Sequence, residues 1–188
     1  MKALLEPIKE IARFDELFRD LKKGTAGVTV ISGCLESQKA HMIAGLSEDV
    51  PVRLLIAENE LKAKELYEDY RLYDAETLYY PAKDLIFYQA DIHGNLLIRQ
   101  RLQVIQALLE RKEVTIITSV GGCMDFLLPL GVFEKHCIHL RNDSELDLDK
   151  IRKKLVRLGY ESTFQVESTG QFSVRGGILD IYPLTEQN

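Results

Sequence analysis

The chain has 188 residues, of which 46% are hydrophobic and 28% charged. These proportions are ordinary for a globular protein and exclude a disordered or collagen-like chain. No apolar run approaches the ~18 residues of a membrane helix, and the charged start MKALLEPIKEIARFDE lacks the apolar core of a secretory signal. The net charge of −5 argues against DNA binding by this chain alone through phosphate contacts. A local basic face is still compatible with this charge.

The cysteines are odd in number and have no C-x-x-C spacing: Cys34, Cys123 and Cys137. This usage predicts neither a disulfide framework nor a zinc site, and it indicates a reducing, cytoplasmic compartment. His136 and His139 lie in a segment that we predict as a strand, Lys135–Leu140. There they would face opposite sides and would not share an ion, so we expect no metal.

Helix and strand patterns alternate along the first two thirds of the chain. Apolar residues three or four apart predict an amphipathic helix over the first twenty-odd residues. The elements predicted after it are a strand at Val28–Ser32, a helix to about Leu46, a strand at Arg53–Ala57, a helix at Glu60–Tyr70, a strand at Glu76–Tyr80, a helix at Leu96–Glu110 and a strand at Val114–Val120. This alternation predicts βαβ units and a mostly parallel sheet flanked by helices.

The pattern changes after Gly121 and Gly122, where a smaller α+β domain is expected to follow. Its predicted elements are the strand Lys135–Leu140, a helix from the N-cap Ser144 to Leu158, a stop at Gly159, and strands at about Thr163–Val166 and Phe172–Tyr182. We set the domains at 1–125 and 126–188. Because the sequence stops at Asn188 without a closing element, we expect an N-terminal piece of a longer protein.

A strand–loop–helix segment, VTVISGCLESQKAHMIA, has the frame of a phosphate-binding loop. In the pattern GxxxxGK[ST], Gly33 fills the first position and Lys39 the lysine position. Gln38 stands at the second glycine and Ala40 at the hydroxyl residue. The frame and the lysine are therefore present, whereas the other two positions are altered. The alternative is an unrelated strand–turn–helix with a chance lysine.

Each alteration has a chemical consequence. Gln38 places a side chain where backbone N–H groups would close around phosphates, and Ala40 has no hydroxyl to ligate Mg²⁺. Glu36 adds a negative charge to a loop that would hold a polyanion. The strand at Val114–Val120 also ends without the carboxylate that a motor needs. We therefore expect neither ATP hydrolysis nor tight nucleotide binding here, and no cofactor.

A second motif lies at Gly170–Pro183, GQFSVRGGILDIYP. It resembles the signature G-x-[FY]-x-x-RGG-[IL]-[LI]-D-[IL]-[FY]-P of the N-terminal UvrB-homology module of the bacterial transcription-repair coupling factors, the Mfd family. The stretch Pro81–Leu102 is similar to the same family's Pro-acid-x-x-Pro-Tyr-Asp segment and Ile-x-x-Arg helix, although the usual Trp and second Pro are absent. The resemblance covers nearly the whole chain.

The resemblance implies a fold and a role. Residues 1–125 would form part of a RecA-like α/β domain without its ATPase site. Residues 126–188 would form the small α+β domain of the UvrB domain-2 type, which binds UvrA. In the family, the complete protein recruits nucleotide excision repair to stalled RNA polymerase and moves on DNA through a separate ATP-dependent motor. Polymerase, DNA and motor contacts would then lie in parts absent from this chain, and an intramolecular contact with those parts is expected.

The late signature supplies the candidate docking residues. Arg175 offers a planar fork of donors to a partner carboxylate, and Gly176-Gly177 permit a bulge or a close backbone approach. Phe172 and Tyr182 would flank the arginine as partly exposed rings. The alternative is that Phe172, Ile178 and Tyr182 are core residues and that Arg175 pairs internally with Asp180.

Three functions remain open at this stage. The first is a non-catalytic docking module for UvrA. The second is a nucleotide-binding fragment of a UvrB-like helicase, which would bind ATP through Lys39. The third is an autoinhibitory domain that packs on the distant motor. One departure from the family bears on the UvrA-docking function. The family often carries an arginine shortly after Gly-Tyr, and the stretch Glu161–Thr163 has none.

Overall fold

The computed structural model describes residues 2–11, 13–24, 27–83, 91–140 and 146–185. The chain divides into two compact units. The first unit consists of Met1–Lys83 and Glu110–Asp125, and the second of Asp84–Leu109 and Phe126–Asn188. Among the described residues, no helix is both long and apolar enough to cross a bilayer.

Helices and strands of both units are numbered in chain order. They are α1 (Lys2–Leu5), a 3₁₀ helix (Glu6–Glu10), α2 (Phe14–Lys22), α3 (Glu36–Leu46), β1 (Val52–Ala57), α4 (Glu60–Tyr70), β2 (Thr77–Tyr80), α5 (Asp91–Leu109), β3 (Val114–Ser119), α6 (Val120–Cys123), α7 (Leu130–His136), α8 (Leu148–Arg157), β4 (Glu161–Ser162), β5 (Gln171–Arg175) and β6 (Ile178–Ile181).

The first unit is built on a parallel sheet of three strands in the order β1-β3-β2. The middle strand β3 is uncharged and buried at every position, as expected of a strand with neighbours on both sides. Helices α3 and α4 supply a core that includes Ile117 of β3; its other buried members are Leu5, Ala40, Ala44, Ala63 and Tyr70. The predicted α/β class with a parallel, helix-flanked sheet is confirmed.

The strand predicted at Val28–Ser32 is wrong. These residues form no regular element, and the side chains of Val28 and Val30 are 88% and 85% exposed. A β-branched, uncharged run satisfies the local preference for a strand, but the strand forms only if a neighbour pairs with it. Among the described residues this sheet consists of β1, β3 and β2, and Val28–Ser32 pairs with none of them.

The prediction of a single helix over the first twenty-odd residues is also wrong, because this segment forms three pieces: α1, the 3₁₀ helix and α2. Pro7 lies at the start of the 3₁₀ helix, and Arg13 before α2 has a left-handed φ of 69°. The pieces fold back onto α3 at Gly45. A Cβ there would lie 2.8 Å from a methyl group of Ile8 and 3.3 Å from the ring of Phe14, so a glycine is needed for this close approach.

The second unit contains a mixed sheet in the order β4-β5-β6, with β5 and β6 forming a hairpin. Helix α8 packs against β4 and β5. Its N-cap is Asp147, whose side chain accepts a hydrogen bond from the backbone N–H of Lys150 at 3.1 Å. Gly159, with a φ of +88°, follows the helix as predicted. The predicted N-cap Ser144 lies outside the described residues.

Two other strand predictions for this region fail. Residues of Lys135–Leu140 divide between the end of α7 and an irregular stretch, and α7 begins after Pro129, whose carbonyl accepts from the N–H of Val132 at 2.8 Å. The strand expected at Thr163–Val166 lies earlier, as β4. Short runs of this kind carry too little periodicity to separate helix, strand and loop.

A largely buried polar network joins β1 and β3 to the turn before β2. Arg53 Nη1 lies 2.8 Å from Asp74 Oδ2 and donates to Thr115 Oγ1 at 2.9 Å. The Thr115 hydroxyl in turn donates to Asp74 Oδ2 at 2.6 Å. Every member is hydrogen-bonded, so removing one partner would leave buried polar groups unsatisfied.

Replacing Asp74 by alanine should destabilise the chain by about 2–3 kcal/mol, because Arg53 would lose its ion-pair partner in a mostly buried position. Urea denaturation measures the change. The control is Glu65→Ala, which breaks the exposed pair between Lys62 and Glu65 and should cost under about 1 kcal/mol. Equal effects of the two substitutions would contradict the role assigned to the network.

Candidate functional site

The hairpin of β5 and β6 holds the arginine of the late signature. Its turn consists of Gly176 and Gly177, with φ values of +54° and +90°, which favour glycine. In the antiparallel register Arg175 lies opposite Ile178, and Ser173 lies opposite Asp180. Opposing residues of an antiparallel pair share a face, so these four side chains lie on one face of the hairpin.

Arg175 and Asp180 form an ion pair on that face. Arg175 Nη2 donates to Asp180 Oδ2 at 3.2 Å, and the two side chains are 49% and 46% exposed. The internal pairing considered as the alternative is therefore present. It does not remove the arginine from the surface, because half of the side chain remains accessible. A guanidinium has five N–H donors and can bind a second acceptor.

The two aromatic residues of the signature differ in burial. Phe172 is fully buried on the face of β5 opposite to Arg175, so the expectation of a partly exposed ring there is wrong. The physical reason is the alternation of side chains along a strand: residues three apart face opposite sides. Tyr182, just after β6, is partly exposed.

Sequence reasoning missed Phe164, an 81% exposed ring next to the hairpin. The Arg175 guanidinium lies over this ring, with Cζ 5.2 Å from the ring centroid. The buried Ser173 hydroxyl donates to the Phe164 carbonyl at 3.1 Å. No local sequence pattern predicts the contact between Arg175 and Phe164, because it depends on where the chain turns after β4.

The altered phosphate loop lies in the first unit, between an irregular segment and α3. Gly33 has a φ of +85°, and a Cβ on it would meet open space. Ala40 is buried in the core between α3 and the sheet. A hydroxyl residue at position 40 would therefore face apolar neighbours. Of the residues predicted to form one loop, Gly33 therefore lies at the surface and Ala40 in the core.

The polar residues of this loop bind one another. Gln38 Oε1 accepts a hydrogen bond from the backbone N–H of Leu35 at 3.1 Å, an N–H group that precedes α3. Lys39 Nζ lies 2.6 Å from Glu36 Oε1. This hydrogen bond and the positive charge of Lys39 lower the pKa of the Glu36 carboxyl. The lysine is therefore neutralised by the residue that the sequence analysis singled out as unfavourable for phosphate.

A carboxylate missed by the sequence analysis lies at the carboxyl ends of β2 and β3. Glu60, the first residue of α4, accepts hydrogen bonds from the hydroxyls of Tyr79 and Ser119 and from the backbone N–H of Ala82. Burial, followed by the hydrogen bond to Glu60, raises the pKa of Tyr79. The carboxylate therefore ties α4 to two strand ends, and its oxygens are occupied by these donors.

Nothing in the described part of the chain groups three or more potential metal ligands. His136 ends α7, where its Nδ1 lies 2.8 Å from the Val132 carbonyl, so the argument from opposite faces of a strand does not apply to it. The three cysteines are free thiols.

Comparison with known proteins gives a family-model match over the segment that contains the hairpin. Residues 138–188 match the model of the family described as "UvrB interaction domain". The matched segment contains α8 and the whole β4-β5-β6 sheet. It therefore includes Arg175 and its neighbours.

The whole chain is similar to part of larger proteins. It is 34% identical over 189 aligned positions to the transcription-repair-coupling factor of Staphylococcus aureus strain USA300, covering 98% of this chain and 16% of that protein. It is 33% identical over 161 positions to that of Staphylococcus haemolyticus strain JCSC1435, covering 84% of this chain and 14% of the relative. The chain thus spans about one sixth of the length of these relatives. The resemblance to the N-terminal UvrB-homology module of the transcription-repair coupling factors is confirmed.

The raised pKa of Tyr79 gives a pH-dependent prediction. The folded chain holds the Tyr79 proton more tightly than the unfolded chain, so this contribution is complete below the unfolded pKa of about 10 and is lost as pH rises above it. The stability of the Tyr79→Phe variant should therefore fall less between pH 9 and 11 than that of the unaltered chain. Urea denaturation across this range measures the difference. Parallel pH curves would contradict the raised pKa of Tyr79.

Proposed function

We propose that the chain is a non-catalytic docking module that binds UvrA through its second domain, residues 126–188. In the cytoplasm it would recruit nucleotide excision repair to stalled RNA polymerase. The observation that carries the proposal is the coincidence of the family match at 138–188 with a hairpin face that displays a half-exposed arginine. The name of these relatives joins transcription to repair. The ATP-dependent DNA translocase activity belongs, in this proposal, to other parts of a longer protein.

Energetics support Arg175 as the main contact. A solvent-exposed ion pair such as Arg175–Asp180 contributes only about 0–1 kcal/mol, so the arginine can rearrange at little cost. A bidentate arginine–carboxylate pair in a desolvated interface is worth more, and arginine is enriched among interface hot spots. Gly176 and Gly177 place no side chain between the end of β5 and a partner.

Replacing Arg175 by alanine should weaken UvrA binding by about 1–3 kcal/mol, since both the charge and the donor fork are lost. Arg175→Lys should recover only part of the loss, because an ammonium cannot pair bidentately. The control is Arg152→Ala on α8, outside the hairpin. Isothermal titration calorimetry with purified UvrA measures the affinities, and thermal melting verifies the fold. Unchanged affinity of Arg175→Ala would count against the proposed docking face.

We also propose that the altered phosphate loop, at residues 33–40, binds no nucleotide. Two observations support this: Ala40 is enclosed in the core, and Gln38 accepts from the N–H of Leu35. An exposed ion pair contributes little, so the pair of Lys39 with Glu36 adds little to this support. A nucleotide here would also lack the hydroxyl and the carboxylate that hold Mg²⁺ in a working motor.

Calorimetric titration of the chain with Mg-ATP at millimolar concentration should therefore give no saturable heat, and Lys39→Ala should behave in the same way. The matched control variant is Lys9→Ala, a lysine of the 3₁₀ helix that is likewise paired with the glutamate three residues before it. Saturable binding that is lost in Lys39→Ala but kept in Lys9→Ala would instead establish the nucleotide-binding alternative.

A further inference from the structure

Phe164 is an exposed aromatic residue whose backbone is held by hydrogen bonds. A single exposed apolar side chain needs no functional explanation. Here, however, the ring lies two positions after the end of β4, in a loop that is hydrogen-bonded to β5. The ring gains nothing from core packing, because 81% of the residue is exposed.

The attachments involve the backbone on each side of the ring. The N–H of Thr163 donates to the Phe172 carbonyl at 2.9 Å, and the Ser173 hydroxyl donates to the Phe164 carbonyl at 3.1 Å. Further along, Gln171 Oε1 accepts from the N–H groups of Glu167 and Ser168 at 3.0 and 3.1 Å. Ser173 is itself buried, so its hydroxyl is committed to this bond. The ring is therefore attached to a preorganised segment.

Phe164 also adjoins the proposed docking residue. The Arg175 guanidinium lies over its ring, and Ile178, which is 64% exposed, lies opposite Arg175 in the hairpin. Together Phe164, Arg175 and Ile178 form a patch, called here the Phe164 patch, in which the cation lies beside apolar groups and also pairs with Asp180 at 3.2 Å. Stacking on the ring restricts the guanidinium before any partner arrives, which lowers the entropy lost on binding.

We propose that Phe164 is the aromatic anchor of the UvrA-docking surface. The UvrA surface would then present an apolar recess for the ring beside a carboxylate for Arg175, which complements the charge and shape of the Phe164 patch. The inference rests on the proposed docking function and adds the chemistry of the partner surface. Phe164 takes the place that the sequence analysis gave to Phe172, and it supplies a contact next to Glu161–Thr163, where no arginine is present.

The test is calorimetric titration of UvrA with the complete chain and its variants. Phe164→Ala should bind ~30-fold more weakly, the change that corresponds to a hot-spot loss of about 2 kcal/mol. Phe164→Leu, which keeps an apolar group but loses the ring, should lose less. The matched control is Phe126→Ala, because Phe126 is another phenylalanine of the second unit and is 99% exposed; its affinity should be unchanged. Thermal melting of all variants should coincide.

The outcomes separate this inference from the function on which it rests. If the unaltered chain binds UvrA and Phe164→Ala binds equally well, the anchor is overturned while docking through Arg175 stands. If the unaltered chain does not bind UvrA, the docking function is overturned and the anchor with it. The effect of Phe164→Ala should also be smaller in an Arg175→Ala background, because contacting residues are energetically coupled. Strict additivity would contradict their joint action.

Discussion

The alternation of side chains along β5 is the constraint on which the docking surface depends. It sends Phe172 into the core with α8 and sends Ser173 and Arg175 to the opposite face. The turn at Gly176 and Gly177 then returns the chain so that Ile178 and Asp180 join that face. One strand thus both secures the small sheet and presents the arginine. A shift of register by one residue would bury the arginine and expose the phenylalanine.

Elements with strong local signals were predictable from the sequence. Helix α4 was predicted at its observed bounds, Glu60–Tyr70, and the uncharged run of β3 indicated a strand buried on both faces. The alternation of β5 was also readable, because Phe172 and Arg175 are three residues apart and must face opposite sides; the expectation of a partly exposed Phe172 overlooked it. Two other failures came from relations between distant residues. The strand expected at Val28–Ser32 required a strand to pair with it, and the position of the Phe164 ring depends on hydrogen bonds to Phe172 and Ser173.

The loop at residues 33–40 and the carboxylate Glu60 illustrate how polar side chains of the first unit serve structure. Gln38 accepts a hydrogen bond from the backbone N–H of Leu35, and Lys39 pairs with Glu36. Ala40 packs in the core. Glu60 ties α4 to the strand ends through the hydroxyls of Tyr79 and Ser119. Each of these side chains is engaged by the fold itself. In our account the first unit serves as a support, and recognition falls to the second.

Hydrogen–deuterium exchange of the complete chain with and without UvrA tests the central claim most directly, because it locates the contact without any substitution. The account predicts slower exchange in residues 161–182 when UvrA is present. It predicts unchanged exchange across α3 and the loop that contains Gly33. Protection centred on the loop and α3, with the hairpin unaffected, would contradict it.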